Sequence, residues 1–366
     1  MNILTVNTGS SSVRLALFVK SGMELKQKAV CCYGVNEDTP ERLLRKFLMD
    51  DTRQVNLVSH RVVHGGTRFT DPCVINDEVE EEIGRLSLLA PLHNPLALKW
   101  IRACRAVIGN GAQQIAVFDT AFYARLPQIA RLYALPKDLC VKHGIQRYGF
   151  HGIAHRAMME RWMELRPDLK KGGRIISLQL GSGCSVTAVR EGMPVDTSMG
   201  FSPLEGLIMS TRCGDLDPGV LVHLQKSAGL SIDEIDELLN RSSGIRGISG
   251  ISSDMRVLLG SKEPDARLAV EAYCYRARKY IGAYMAALGG ADAVLFGGGV
   301  GENAPSIRKG VLENMQWCGI ELDGQVNNDT IGKEGRISSV SGSVDIWIIP
   351  GDEAVVMAQE AMTVLE

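Results

Sequence analysis

The stretch Ile3-Leu-Thr-Val-Asn-Thr-Gly-Ser-Ser-Ser-Val-Arg-Leu-Ala-Leu-Phe18 decides how the chain begins. It is an apolar run, a small polar turn, and a second run rich in apolar and aromatic side chains. That pattern predicts two strands joined by a tight glycine turn. Backbone amides freed by Gly9, the hydroxyls of Ser10, Ser11 and Ser12, and the charge of Arg14 would suit phosphate oxygens. Alone, the turn fits an ordinary glycine-serine hairpin equally well.

The pattern returns half a chain later. Ile175 to Leu180 reads as a strand, Gly181-Ser182-Gly183-Cys184 as a turn, and Ser185 to Arg190 as a second strand. Setting Gly9 against Gly181 places Asn7 opposite Gln179 and Ser10 opposite Ser182. Two such units in one register point to an internal duplication. A third glycine run, Gly297-Gly298-Gly299-Val300-Gly301-Glu302-Asn303, follows the short strand Ala293 to Phe296 and precedes a predicted helix from Ala304 to Asn314. Strand, glycines and helix start together suit a nucleotide's phosphates.

The 366 residues allow about two domains, and the apolar and charged fractions, 45% and 22%, are those of a globular protein. A formal net charge of −2 argues against nucleic-acid binding. Nine dispersed cysteines, none spaced Cys-x-x-Cys, read as reduced thiols of a cytoplasmic protein. Neither a signal peptide nor a membrane-spanning run is expected.

Several candidate site residues stand at strand ends or in loops. Arg61 lies in Ser59-His-Arg-Val-Val-His-Gly-Gly66, where its guanidinium would grip a carboxylate or phosphate at two points, or form a surface salt bridge. Asp119 ends the strand Ile115 to Phe118, where α/β folds bind ligands, or caps a turn. Asn94 is expected to cap a helix whose first turn holds Pro95. His151, between Gly149-Phe150 and Gly152, reads as an exposed donor. The four-residue spacings of His60 with His64 and His151 with His155 lack the glutamate of His-Glu-x-x-His, so zinc is disfavoured. Arg212 lies in a long Gly-, Pro-, Ser- and Asp-rich loop from Asp196 to Gly219, a second anion fork in a loop of functional type. Pro350-Gly351-Asp352-Glu353 ends the final strand, Ile346 to Ile349, before a terminal helix.

Assembled in order, these segments resemble the acetate kinase family, within the acetate and sugar kinase, Hsp70 and actin superfamily. The motifs are Asn7-Thr-Gly-Ser-Ser-Ser, His60-Arg-Val-Val-His-Gly-Gly, Ala90-Pro-Leu-His-Asn-Pro, Val117-Phe-Asp-Thr-Ala-Phe, Tyr148-Gly-Phe-His-Gly, Asp196-Thr-Ser-Met-Gly-Phe, Thr211-Arg-Cys-Gly-Asp and Gly299-Val-Gly-Glu-Asn. The resemblance implies an α/β fold of two domains, each with a duplicated ribonuclease H-like core of mixed sheet flanked by helices, and a cleft between them. The expected domains are 1–120 plus 354–366, and 121–353 for nucleotide binding and dimerisation. It also implies a homodimer that transfers the γ-phosphoryl group of ATP to acetate.

The same resemblance implies roles. Arg61, Asp119, His151 and Arg212 would be catalytic, and Val63, Leu92, Phe150 and Pro203 would line the pocket for the methyl group. Ser10, Ser12, Arg14, Gln179, Gly181, Ser182, Gly183, Gly299, Gly301 and Asn303 would contact ATP or ADP, while Asn7 and Glu353 would hold Mg2+ or Mn2+. Three positions depart from the family: Arg14 stands for its usual lysine, Gln179 for histidine and Ser182 for asparagine. Neighbouring readings are a propionate or butyrate kinase, a pyrophosphate-dependent acetate kinase, and a nucleotide-binding sensor without catalysis.

Overall fold

The computed structural model describes residues 1–9, 12–22, 24–49, 54–109 and 111–365. Ser10, assigned above to the phosphate path, lies outside them.

The opening stretch forms the expected hairpin. Strands β1 (Asn2–Thr8) and β2 (Ser12–Ser21) pair antiparallel, and β3 (Glu24–Gly34) extends them. The Gly9 amide donates to the Ser12 carbonyl at 2.8 Å and closes the turn. Strand β4 (Leu57–Val62) then runs parallel to β1, β5 (Cys73–Val74) lies at the edge, and β6 (Gln113–Phe118) runs parallel to β4. The sheet order is β3-β2-β1-β4-β6-β5.

The second half repeats this strand by strand. Strands β7 (Arg174–Leu180), β8 (Cys184–Arg190) and β9 (Met193–Thr197) form an antiparallel meander. β10 (Ala293–Gly297) runs parallel to β7, β11 (Gly335–Arg336) lies at the edge, and β12 (Asp345–Ile348) runs parallel to β10. The order, β9-β8-β7-β10-β12-β11, matches the first sheet position for position. Helices flank both mixed sheets, as parallel strands require, because each crossover returns along a face of the sheet.

Burial follows from the strand patterns. β4 is buried at every position, the mark of a central parallel strand covered on both faces. On one face of the first sheet, Leu4, Val6, Leu15 and Leu17 pack with Leu43, Leu44 and Phe47 of helix Pro40–Met49 and Trp100 of helix Asn94–Ile108. On the other, Ile3, Phe18, Leu57 and Ile115 meet Ile153, Ala157 and the apolar side of helix Glu353–Thr363.

Two compact units result. The first comprises Met1–Ala124, Phe150–Ala157 and Asp352–Glu366; the second comprises Arg125–Gly149 and Met158–Gly351. Phe150–Ala157, placed by the sequence reading with the second domain, packs in the first. Gly152 is the reason: a Cβ there would overlap the Asp119 carbonyl oxygen, so only glycine lets the helix Gly152–Leu165 begin against that strand end.

Other expectations need correction. Asn94 does not cap its helix. It lies inside it, and its side-chain amide instead accepts from the His64 N–H and donates to the His64 carbonyl, both at 3.1 Å. The helix expected over 304–314 starts earlier and in two pieces, since helix Gly298–Asn303 begins within the glycine run and a second helix, Pro305–Val311, follows. Asp196 and Thr197 belong to β9, and helix Pro218–Ser227 occupies the end of the expected long loop.

Candidate active site

Three parallel strands of the first unit deliver three polar residues to one edge. Asn7 is the penultimate residue of β1, Arg61 that of β4, and Asp119 follows the last residue of β6. The carboxyl ends of parallel strands are where open α/β sheets bind ligands, because the connections there leave a crevice. Arg61 Nε and Nη2 donate to Asp119 Oδ2 at 3.1 and 2.7 Å, and Nη1 donates to Asn7 Oδ1 at 3.0 Å. Asn7 Nδ2 in turn donates to Glu353 Oε2, which lies 3.9 Å from Arg61 Nη1. Glu353 is the first residue of helix Glu353–Thr363, where a carboxylate is favoured by the helix dipole.

Burial sets the electrostatics. Asp119 is fully buried and Arg61 is 8% exposed. Burial pushes the Asp119 carboxyl up, against the charge and hydrogen bonds of Arg61. Burial would lower the Arg61 guanidinium, but the charges of Asp119 and Glu353 hold it above the ordinary arginine range. The pair therefore keeps a fixed cation at the strand edge. Asp119 Oδ1 has no hydrogen-bond partner among the described residues.

The remaining candidates of this unit gather by backbone geometry. His151 adopts φ +58°, a left-handed conformation costly for a residue with a Cβ and often found at functional sites. It immediately precedes Gly152, the residue seated on Asp119. Phe150 is buried, its carbonyl accepts from the Tyr123 hydroxyl at 3.0 Å, and its ring meets the edge of His64. The Asn94 bonds to His64 join the loop of half-buried Leu92 to buried Val63. Arg14, exposed, stands opposite Asn7 in the β1–β2 register, so both side chains lie on one sheet face. Ser12 opens β2.

His60 Nε2 is bonded to Gln114 Oε1 at 2.7 Å, and no cluster of three or more His, Cys, Asp or Glu that could hold a metal occurs among the described residues. None of the nine cysteines is in a disulfide.

The second unit has its own strand edge. Gln179 sits near the end of β7, and Gly297 pairs with it from β10. Gly298 takes φ +77°, and a Cβ there would lie 2.6 Å from the Leu180 carbonyl oxygen. Gly299 has open space around it, Gly301 is buried, and Asn303 Nδ2 donates to the Gly299 carbonyl at 2.9 Å. The turn Gly181-Ser182-Gly183 closes through the Gly181 amide and Gly183 carbonyl, at 3.1 Å. Ser210 N–H donates to the Ser182 carbonyl at 3.1 Å, tying the turn to the loop of Arg212. Arg212 is 6% exposed, and its Nη1 donates to the Pro203 carbonyl at 2.9 Å. Burial pushes its guanidinium down to about 10. An anion brought to it would restore its proton affinity.

The chain is similar to known proteins along most of its length. The sequence signature of the acetokinase family matches residues 39–359. An acetate kinase of Solibacter usitatus is 49% identical over 312 residues, 84% of this chain and 75% of that protein. The chain belongs to the acetokinase family. The solved acetate kinase of Porphyromonas gingivalis superposes with a TM-score of 0.87 at 38% identity, covering 100% of both chains. A propionate kinase from Francisella tularensis subsp. tularensis SCHU S4 superposes with a TM-score of 0.88 at 34% identity over 98% of each.

Against this family background, two residues that sequence reading passed over each brace candidate site segments. The Thr120 hydroxyl accepts from the Gly65 amide at 3.0 Å, joining the Arg61 and Asp119 loops. Buried Arg308 donates to the carbonyls of Gly301 and Glu302 and to Asn327 and Thr330, so it fastens the end of the glycine helix. Sequence spacing carries no sign of either role, because both depend on backbone carbonyls and amides brought in from distant segments. No helix among the described residues is long and apolar enough to cross a membrane.

Proposed function

We infer that this chain is an acetate kinase, a phosphotransferase moving the γ-phosphoryl group of ATP reversibly to the carboxylate of acetate. The observation that carries the reading is the Asn7, Arg61, Asp119 and Glu353 constellation at one strand edge, in a chain of acetokinase membership. In-line phosphoryl transfer needs positioning and charge neutralisation more than covalent chemistry. Arg61 and Arg212 are the two guanidinium forks, one for the carboxylate and one for the moving phosphoryl group. Asp119 orients Arg61 and keeps it charged. His151 donates to the equatorial oxygens as charge builds on them.

The duplicated cores are ribonuclease H-like; the matching strand orders support this. Ser10, Ser12 and Arg14 line the phosphate path. Gln179, Gly181, Ser182 and Gly183, with Gly299, Gly301 and Asn303, contact the nucleotide. The hard oxygens of Asn7 and Glu353 suit Mg2+ or Mn2+, held directly or through water, and such an ion would offset phosphate charge when bound. Val63, Leu92, Phe150 and Pro203 are the apolar residues assigned to the methyl group. The enzyme works as a cytoplasmic homodimer.

The likeness to a propionate kinase favours a second acid. One methylene changes discrimination by only about 1–3 kcal/mol, so propionate is expected to react more slowly. Trapping the acyl phosphate with hydroxylamine tests the reading, with ATP, GTP or pyrophosphate supplied against acetate, propionate or butyrate. Acetyl hydroxamate formed with ATP supports it. ATP binding with no acyl phosphate from any pair would instead make the chain a sensor.

A further inference from the structure

The loop that carries Arg212 is fastened by three side chains of the second unit that no role above uses. Glu205 Oε1 accepts from Arg147 Nη2 at 2.7 Å, and its Oε2 accepts from the Tyr133 hydroxyl. That hydroxyl accepts in turn from the Phe201 N–H at 2.8 Å. Arg147 also donates to the carbonyls of Ala130 and Thr197, at 3.2 and 3.1 Å, and stacks its guanidinium over the Tyr133 ring at 5.6 Å. Glu205 and Tyr133 close tightly on Gly200, where any Cβ would overlap both Glu205 Oε2 and the Tyr133 oxygen.

The position of this clamp matters more than its strength. Two residues before Glu205, the Pro203 carbonyl receives Arg212 Nη1. One residue after it, Gly206 and Asp215 exchange bonds: the Gly206 N–H donates to Asp215 Oδ1 at 2.9 Å, and the Asp215 N–H donates to the Gly206 carbonyl at 3.0 Å. Asp215 is anchored to helix Pro264–Leu288 by Arg276 and by the Tyr280 hydroxyl. Glu205 is thus the fixed point between the carbonyl that holds Arg212 and the base of the Arg212 loop. A guanidinium so deeply buried swings with its carbonyl partner, and a shift of about 1 Å at a reacting group can cost on the order of a hundredfold in rate.

We propose that Glu205, held by Tyr133 and Arg147, is a positioning residue that aims Arg212 at the phosphoryl group through the Pro203 carbonyl. It touches no substrate itself. The inference rests on the role given to Arg212 above, and the test separates the two.

The experiment is a double-variant cycle on the full-length enzyme: Glu205→Gln, Tyr133→Phe, Arg212→Lys, and each of the first two combined with the third. Tyr133→Phe removes a single hydroxyl and keeps the ring, so it decides the matter should Glu205→Gln fail to fold. The expected result is a kcat about tenfold lower for each clamp variant, with the KM for ATP within twofold of the parent. In the Arg212→Lys background the same changes should lower kcat by less than threefold, because coupled residues are not additive. Full additivity, or a kcat within twofold of the parent for the clamp variants, would overturn the proposal. An Arg212→Lys enzyme as active as the parent would overturn the role of Arg212 itself, and the clamp's function with it.

Discussion

Val6 pairs with His60 in the first sheet, and Leu178 pairs with Phe296 in the second. One residue further on, Asn7 lies beside Arg61, and Gln179 beside Gly297. Equivalent places in two sheets of the same order thus carry opposite chemistry. The first unit puts a guanidinium and its buried carboxylate there. The second puts a glycine, where a Cβ would lie 3.3 Å from Gln179 Oε1 and closer still to the Met158 sulfur. One edge is made for charge and the other for close approach of backbone.

The largest expected effect comes from removing the two arginines. Arg61→Ala and Arg212→Ala should each lower turnover by at least a hundredfold, on the scale of losing a transition-state donor. Their stabilities should diverge. Arg61→Ala strands a buried Asp119 carboxylate and should cost about 3–5 kcal/mol in urea unfolding. Arg212→Ala removes a donor from the neutral Pro203 carbonyl and should cost much less. Equal losses of stability would break the contrast between the halves.

Acid should find the first unit sooner. Burial lowers His60 to about 4 and His155 to about 3, both in that unit. Below the ordinary histidine value of 6.5 the unfolded chain gains protons that the folded chain refuses. Stability therefore falls as pH drops from about 6.5 toward 4, by up to ~1.4 kcal/mol per pH unit for each histidine. Hydrogen exchange at pH 5 against pH 7 should rise first in peptides covering 57–64 and 150–157, and His60→Gln should flatten the slope. Earlier opening of peptides covering 174–190 would count against this.

The smallest effects sharpen the backbone side of the comparison. Gly299→Ala meets nothing within 4 Å, so its melting temperature should not fall. A severalfold rise in the KM for ATP would then report a nucleotide close to that backbone. Gly298→Ala, at φ +77° and against the Leu180 carbonyl, should lose stability by more than 1 kcal/mol. If both variants behave alike, the glycine run is ordinary helix.

Much of this was legible in advance. Both hairpins, the strands over 115–118 and 293–296, and the terminal helix follow from apolar runs punctuated by glycine. Asp119 at a strand end could be read from its place after Phe118. Asn94 misled, because Asn-Pro before an apolar helix is a capping signal. The His64 backbone outbid the helix for its amide. The glycine helix at Gly298 was missed for a similar reason, since propensity disfavours it and the neighbouring Leu180 backbone enforces it.

The amino-acid sequence alone determined the duplicated hairpins, the glycine turns and the family, because these rest on patterns within a few residues of one another. Only the tertiary structure decided that Asn7, Arg61, Asp119 and Glu353 share one edge. The same holds for the matching strand orders of the two sheets and for the fixing of Glu205 between Tyr133 and Arg147. Such arrangements join residues tens to hundreds of positions apart, and burial, which gives their charges and hydrogen bonds their strength, exists only once each sheet is covered by its own helices and loops.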